Sequence, residues 1–134
     1  MKEQKERFSG GFERKRARKV LDRMMEKLGS SLVLVEGAKD ERAVGPYAGI
    51  VIQAAGRPRA ACRKASETGA TEAVVLTDLD RSGDELALEL RSELGRYGIR
   101  ADLELRKTLG GLLQVKQMEN FEGKYQKTVE EINR

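Results

Sequence analysis

The sequence predicts an α/β protein, with a parallel sheet of about four strands flanked by helices and a basic helix at the N-terminal end. Three observations predict it. Short β-branched runs alternate with longer stretches of helical spacing, the pattern of β-α-β units joined by right-handed crossovers. The runs are apolar without polar alternation, as strands covered on both faces are. Glycines stand at the ends of the helical stretches, where a chain that must turn uses them. At 134 residues the chain has the length of one domain.

In chain order, residues 11–28 carry Ala17, Leu21, Met24 and Leu28 at steps of four, three and four, an amphipathic helix closed by Gly29 in the C′ role. Phe8 and Phe12, four apart, read as the preceding turn of the same helix. Residues 31–35 (Ser-Leu-Val-Leu-Val) form a buried strand, and a short helix follows over 39–44. Residues 49–53 read as a second strand and 57–68 as a helix stopped by Gly69. Residues 73–77 (Ala-Val-Val-Leu-Thr) make a third buried strand. Leu86, Leu90 and Leu94 at four-residue steps define the best amphipathic helix, over 82–96, which Gly98 closes. Ile99 to Leu105 reads as a fourth strand, and the tail from 107 to 134 as helical, with Gly110-Gly111 and Gly123 as the points where it would break. The organisation expected is a basic helical extension over 1–30, the main domain over 31–106, and a C-terminal helical tail over 107–134 packed on that domain.

Residue usage narrows the chemistry. The chain contains no histidine and one cysteine, Cys62. Imidazole-based triads, histidine-ligated metals and multi-thiolate zinc sites are therefore excluded. Cys62, in a helical run of alanines, reads as a small buried hydrophobe. Chemistry here must come from carboxylates, lysines, hydroxyls or an oxygen-seeking cation, which points to Mg²⁺ with Mn²⁺ able to substitute. The polar start of the chain lacks the apolar centre of a signal peptide, and no apolar run approaches the length of a membrane span, so a cytoplasmic location is expected.

The formal net charge of +4 is unevenly placed. Residues 1–30 hold ten Lys/Arg against five Asp/Glu, a net of +5, and the remainder holds sixteen against seventeen, a net of −1. The densest run contains Arg14, Lys15, Arg16 and Arg18. Clustered cations of this kind displace condensed counterions from nucleic acid, so these four are expected to contact phosphates of RNA or DNA. An ordinary solvated helix face would carry the same charges.

Ligands of open α/β sheets bind beyond the carboxyl ends of the strands. The acids of this chain fall there. Glu36-Gly37 follows the first strand, and Asp78-Leu79-Asp80-Arg81-Ser82-Gly83 follows the third. Residues i and i+2 at a strand end project to one side, so Asp78 and Asp80 can address one point, and Glu36 joins them if the two strands are neighbours. Three crowded carboxylates repel one another unless a cation is present, and oxygen-only ligands suit Mg²⁺ completed by substrate phosphate. Gly37 and Gly83 permit close backbone approach to a ligand. Turn formation or helix capping by the Asp-X-Asp, and pairing of Glu36 with Lys39 or Arg81, are the plain structural alternatives.

The pairing of apolar strand–Glu-Gly over 32–37 with apolar strand–Asp-X-Asp-Arg-Ser-Gly over 74–83 resembles the Toprim domain, a Rossmann-like catalytic module of topoisomerases, bacterial-type primases and the 5S ribosomal RNA maturation ribonuclease. It resembles most the small stand-alone Toprim proteins of archaea and some bacteria, which also carry a basic N-terminal helix, a stretch like Lys39-Asp40-Glu41-Arg42 and one like residues 115–119. The resemblance implies Glu36 as metal ligand and general acid/base, Asp78 and Asp80 as ligands of one or two Mg²⁺ ions, and Arg81 and Lys39 as phosphate contacts. It implies Mg²⁺-dependent action on nucleic acid, phosphodiester cleavage or RNA processing, with a non-catalytic metal- and nucleic-acid-binding module as the alternative. Where type IA topoisomerases carry a glutamate this chain has Ser82, and their strand-passing domains do not fit in its length, so DNA relaxation is not expected. Primase activity is not expected either, because the zinc-binding region that accompanies that module is absent.

Overall fold

Four parallel strands form the sheet in a computed structural model that describes residues 7–134. They are β1 (Leu32–Val35), β2 (Ile50–Gln53), β3 (Glu72–Val75) and β4 (Arg100–Asp102), in the spatial order β2-β1-β3-β4. The helices are α1 (Gly11–Gly29), α2 (Ala38–Val44), α3 (Pro58–Glu67), α4 (Arg81–Gly95), α5 (Glu104–Leu113) and α6 (Phe121–Ile132), with single 3-10 turns at Gly45–Tyr47 and Met118–Asn120. The expected class, a Rossmann-like α/β fold with four parallel strands between helices, is the one observed.

Strand alternation decides the layers. Val33, Val35, Val74 and Leu76 point to one face and pack with α1, α2, α5 and α6 around the fully buried Phe121, Leu28, Leu109 and Met118. Leu32, Leu34, Ala73 and Val75 point to the other face, where Cys62 of α3 and Leu90 and Leu94 of α4 cover them. From β1 the chain steps outward to β2 by way of α2, then returns past β1 to β3 by way of α3. The covering helix changes face when the direction of progress reverses, as right-handed crossovers require. The reversal makes the boundary between β1 and β3 the topological switch point of the sheet, where open α/β folds place their ligands. β1 and β3 are paired, Leu32 to Ala73 through Leu34 to Val75, and the N–H of Leu76 extends the ladder to the carbonyl of Leu34 at 2.8 Å.

Helix α1 buries Ala17, Leu21, Met24 and Leu28, the stripe that the spacing predicts, so it is part of the core and not a detached arm. Residues 1–6, which the expected extension includes, lie outside the described residues. Several boundaries differ from expectation. Gly29 is the last helical residue and Ser30 the cap, so Gly29 does not take the C′ role that its position suggests. Phe8 precedes the helix and packs on the core, while Phe12 on its first turn is 74% exposed, so the two do not share a helical face. β4 stops at Asp102, whose carboxylate accepts the N–H groups of Glu104 at 2.8 Å and Leu105 at 3.1 Å and so starts α5. Leu105 is therefore helical, not the end of a strand. The tail continues through Gly110-Gly111 and through Gly123 and breaks instead at Gln114, which adopts a left-handed conformation with φ 54°. A Cβ at Gly110 would collide with Leu79, which explains a glycine inside α5. Among the described residues no helix is long and apolar enough to cross a membrane.

If α1 belongs to the core, truncating Leu28 must unfold the domain more readily than removing charge from the opposite face. We expect Leu28→Ala to lower stability by about 2–5 kcal/mol in urea denaturation. Arg16→Ala, on the exposed face, should stay within about 0.5 kcal/mol of the wild type.

Candidate functional site

Because β1 and β3 are neighbours, the residues leaving their carboxyl ends meet. The Asp78 N–H donates to Glu36 Oε2 at 2.6 Å, joining the two acidic segments directly. Asp78 Oδ1 in turn accepts the N–H of Met118 at 2.8 Å, and the Leu79 N–H donates to the Lys116 carbonyl at 2.7 Å. Residues 115–118 thus form a strap across the Asp78–Asp80 loop. Asp80 Oδ1 accepts the Gly83 N–H at 2.7 Å and caps α4, so the capping alternative accounts for one of its oxygens. In every case one carboxylate oxygen is held by backbone and the other makes no hydrogen bond within the described residues.

Two further residues build the site. Asp40 of α2 is buried, and its Oδ2 accepts the Gly37 N–H at 3.0 Å, the half of a capping box that a glycine N-cap leaves possible. Arg106 of α5 is buried beneath the loop. Its Nε donates to the Thr77 carbonyl at 2.8 Å and its Nη2 to the Asp78 carbonyl and, at 2.6 Å, to Asp84 Oδ1. Thr77 Oγ1 donates to the Gly83 carbonyl at 2.7 Å. Sequence reading does not single out Arg106, since a lone arginine in a helical stretch looks like a surface residue. For Asp40, the available signal is an acid three residues after the glycine that precedes the helix, where its carboxylate can reach back to the free N–H at the helix start.

Burial dominates the electrostatics, and like charge adds to it. Burial raises the Glu36 carboxyl above the usual glutamate range, and the charges of Asp78, Asp80 and Asp40 add to it, against the opposing pull of the Asp78 N–H. Asp40 is raised as well, first by burial and then by Asp78 and Glu119, while the Gly37 N–H opposes. Among the described residues neither Glu36, Asp78, Asp80 nor Asp40 forms an ion pair; Arg106, the nearest guanidinium to the loop, pairs with Asp84. An all-oxygen, cation-free donor set of this kind fits a hard divalent ion in its chemistry. Its geometry is not that of a closed cage: among the described residues no group of three or more Asp, Glu or Cys side chains is arranged to hold a metal ion.

The remaining expected residues fall as follows. Arg81 is exposed on the first turn of α4 and faces Glu85 at 3.4 Å, so it does not neutralise Glu36. Lys39 is exposed and lines a cavity of about 650 Å³ with Arg42, Glu119 and Asn120. Gly83 cannot be replaced without movement, because a Cβ would fall inside the Asp78 carbonyl group, whereas a Cβ at Gly37 would meet nothing within 4 Å. Gly83 therefore serves close packing inside the protein. On α1, Arg18 donates to Asn133 Oδ1 at 2.7 Å, tying it to the end of α6, and Arg14 reaches the Phe8 carbonyl at 3.5 Å. Arg16 lies over the exposed Phe12 ring and Lys15 is exposed. None of the four bonds to the acidic site. The buried Cys62 thiol is pushed up to about 11 by burial, as an unreactive core cysteine would be.

A parallel α/β domain with acids gathered at its switch point is the class that fold and site define. The chain belongs to the UPF0292 family. It is 39% identical over 99 residues to the UPF0292 protein of Pyrococcus horikoshii, covering 71% of each chain, and 34% identical over 120 residues to that of Thermococcus onnurineus, covering 86% of this chain and 87% of the other. No protein-family model matches the sequence. Its fold is also that of a solved protein from Aquifex aeolicus, with a TM-score of 0.63 and 23% identity over 75% of this chain and 96% of the other.

Two outcomes follow from this geometry. Gly83→Ala should destabilise the protein by about 1–3 kcal/mol, read by thermal melting, because the new methyl displaces the Asp78 backbone. For Glu36, a folded-state pKa raised above the unfolded value contributes stability below the unfolded pKa that is lost as pH rises through the folded one. In EDTA we therefore expect Glu36→Gln to melt above the wild type at neutral pH. The gap should close as pH falls to and below the ordinary glutamate value of about 4.3.

Proposed function

We propose that this protein is a Toprim-type enzyme that uses Mg²⁺, one or two ions with Mn²⁺ able to substitute, to act on phosphodiester bonds of RNA or DNA, by cleavage or in RNA processing. The observation that carries the reading is the meeting of Glu36 with Asp78 across paired parallel strands at the switch point, in a cluster that lacks a cationic partner among the described residues. Glu36, Asp78 and Asp80 would hold the ion through the oxygens that backbone N–H groups leave free. When bound, Mg²⁺ supplies charge stabilisation to the phosphoryl oxygens and orients the attacking water.

The chain's own residues do the rest. Arg106 and the strap at 115–118 fix the loop that carries Asp78, so its carboxylate is set before substrate arrives. Glu36 is the group to exchange a proton with the nucleophile or leaving group, since burial and neighbouring charge raise it toward the working range of a general acid. Arg81 and Lys39, exposed beside the acids in sequence, would meet flanking phosphates, and the exposed Lys15 and Arg16 of α1 would add contacts with a longer strand. A second reading, a binding module that takes metal and nucleic acid without turnover, is favoured by one observation: Asp78 and Asp80 each spend one carboxylate oxygen on a backbone N–H, leaving a single oxygen apiece for an ion.

Amide replacements test the two readings cleanly, because a carboxamide at position 36, 78 or 80 keeps an oxygen for the same backbone N–H. By calorimetry we expect wild type to bind Mn²⁺ and Mg²⁺ and Asp78→Asn or Asp80→Asn to lose that binding with thermal melting in EDTA undiminished. Wild type should cleave at least one member of a panel of single- and double-stranded RNA and DNA, and Glu36→Gln none. Metal and nucleic-acid binding without cleavage across the panel would leave the binding module; absence of metal binding would end both.

A further inference from the structure

Beside Asp80 the strap walls a cavity of about 420 Å³. Its composition is not that of a general surface cleft. Two cations, Lys116 and Lys124, face it, and neither forms an ion pair or a side-chain hydrogen bond among the described residues. Three carboxamides, Gln114, Gln117 and Asn120, stand around the same space, and Leu79 gives it an apolar side. Cations suit a phosphate, carboxamides are the side chains that read base edges with paired donors and acceptors, and an apolar wall suits the face of a base. The volume lies in the range of pockets that enclose a small ligand.

Placement ties this cavity to the acids. Asp80 is itself part of the lining, so an occupant lies next to the candidate metal position. The Leu79 N–H to Lys116 carbonyl bond and the Met118 N–H to Asp78 Oδ1 bond lock the cavity wall to the acidic loop at 2.7 and 2.8 Å. The wall also begins with Gln114, the one non-glycine residue with positive φ among those described, a conformation that ends α5 and turns the strap toward the loop.

We propose that this cavity takes one unpaired nucleotide of a single-stranded nucleic acid, the neighbour of the phosphate that reacts at the acids. Lys116 and Lys124 hold its phosphate and Gln114, Gln117 and Asn120 read its base. The position of the reacting phosphate rests on the proposed metal-assisted reading; the nucleotide pocket itself does not need the metal. A base stacked inside a duplex cannot enter a recess in the protein, so the substrate class is a single strand or a strand with an extruded base.

Fluorescence anisotropy with labelled oligouridylate, oligoadenylate and oligothymidylate, in EDTA and over a range of salt, tests it. Lys116→Gln combined with Lys124→Gln should flatten the log–log salt slope by about 0.7, the one phosphate that the two lysines share on a single strand. Arg59→Ala combined with Arg63→Ala, on α3 across the sheet, should leave the slope unchanged. The wild type should rank the homopolymers differently, and alanine at Gln114, Gln117 and Asn120 together should bring their affinities together while keeping the slope. A duplex should bind about tenfold more weakly than its single strands, equivalent to about 1.4 kcal/mol. An unaltered slope in the lysine variant, homopolymer preferences that persist in the carboxamide variant, or duplex binding as tight as single-strand binding would overturn the pocket. Because binding is read in EDTA, a protein that takes no metal yet shows these dependences sinks the metal-assisted readings and leaves the pocket, and one that binds metal and cleaves without them sinks only the pocket.

Discussion

The hydrogen bond from the Asp78 N–H to Glu36 Oε2 is the contact on which the rest of the molecule turns. It exists because β1 and β3 are paired in parallel, and that pairing exists because the chain reverses its direction of progress after β2. The same reversal sends α2 to one face and α3 and α4 to the other, so the three-layer packing and the meeting of the acids have one topological cause. A sheet in sequential order would have set β2 between the two segments and separated Glu36 from Asp78.

Holding like charges together is unfavourable, and the surrounding structure shows how it is managed. Backbone N–H groups at the strand and helix ends each satisfy one carboxylate oxygen, while the buried Arg106 guanidinium braces the loop through its carbonyls and pairs with Asp84, leaving the acids themselves without a partner among the described residues. A guanidinium placed among the acids would have stabilised the free protein more. Its position under the loop keeps the loop in place without neutralising the acids. Local stability given up at a site in this way is the usual mark of a surface kept for a ligand.

Much of this was legible in the residues. The stripe of Ala17, Leu21, Met24 and Leu28 is buried as its spacing predicts, and Glu36, Asp78 and Asp80 do follow adjacent strands. The illegible parts share a physical reason: they are set by contacts distant in sequence. Adjacency of β1 and β3 is a property of the path, not of either segment. Gly110-Gly111 looks like a break because glycine is a poor helix former by about 1 kcal/mol per residue. Gly110 is helical all the same, and glycine stands there because Leu79, thirty-one positions earlier, occupies the space that a side chain would need. β4 is shorter than its apolar residues suggest, because the Asp102 carboxylate serves the first N–H groups of α5 and starts a helix there. The burial of Arg106 carries no local signal at all. For α1, spacing and charge both read as an amphipathic basic helix, but Arg18 is engaged with Asn133, which charge alone could not reveal.

Whether acids from two strands share one ion is open to direct view. In a crystal of the wild-type protein soaked in manganese, we expect anomalous density between Glu36, Asp78 and Asp80, with a side-chain oxygen from each strand end within about 2.0–2.3 Å of it. Density absent at that point, or held by the acids of one strand end alone, would contradict the site as described.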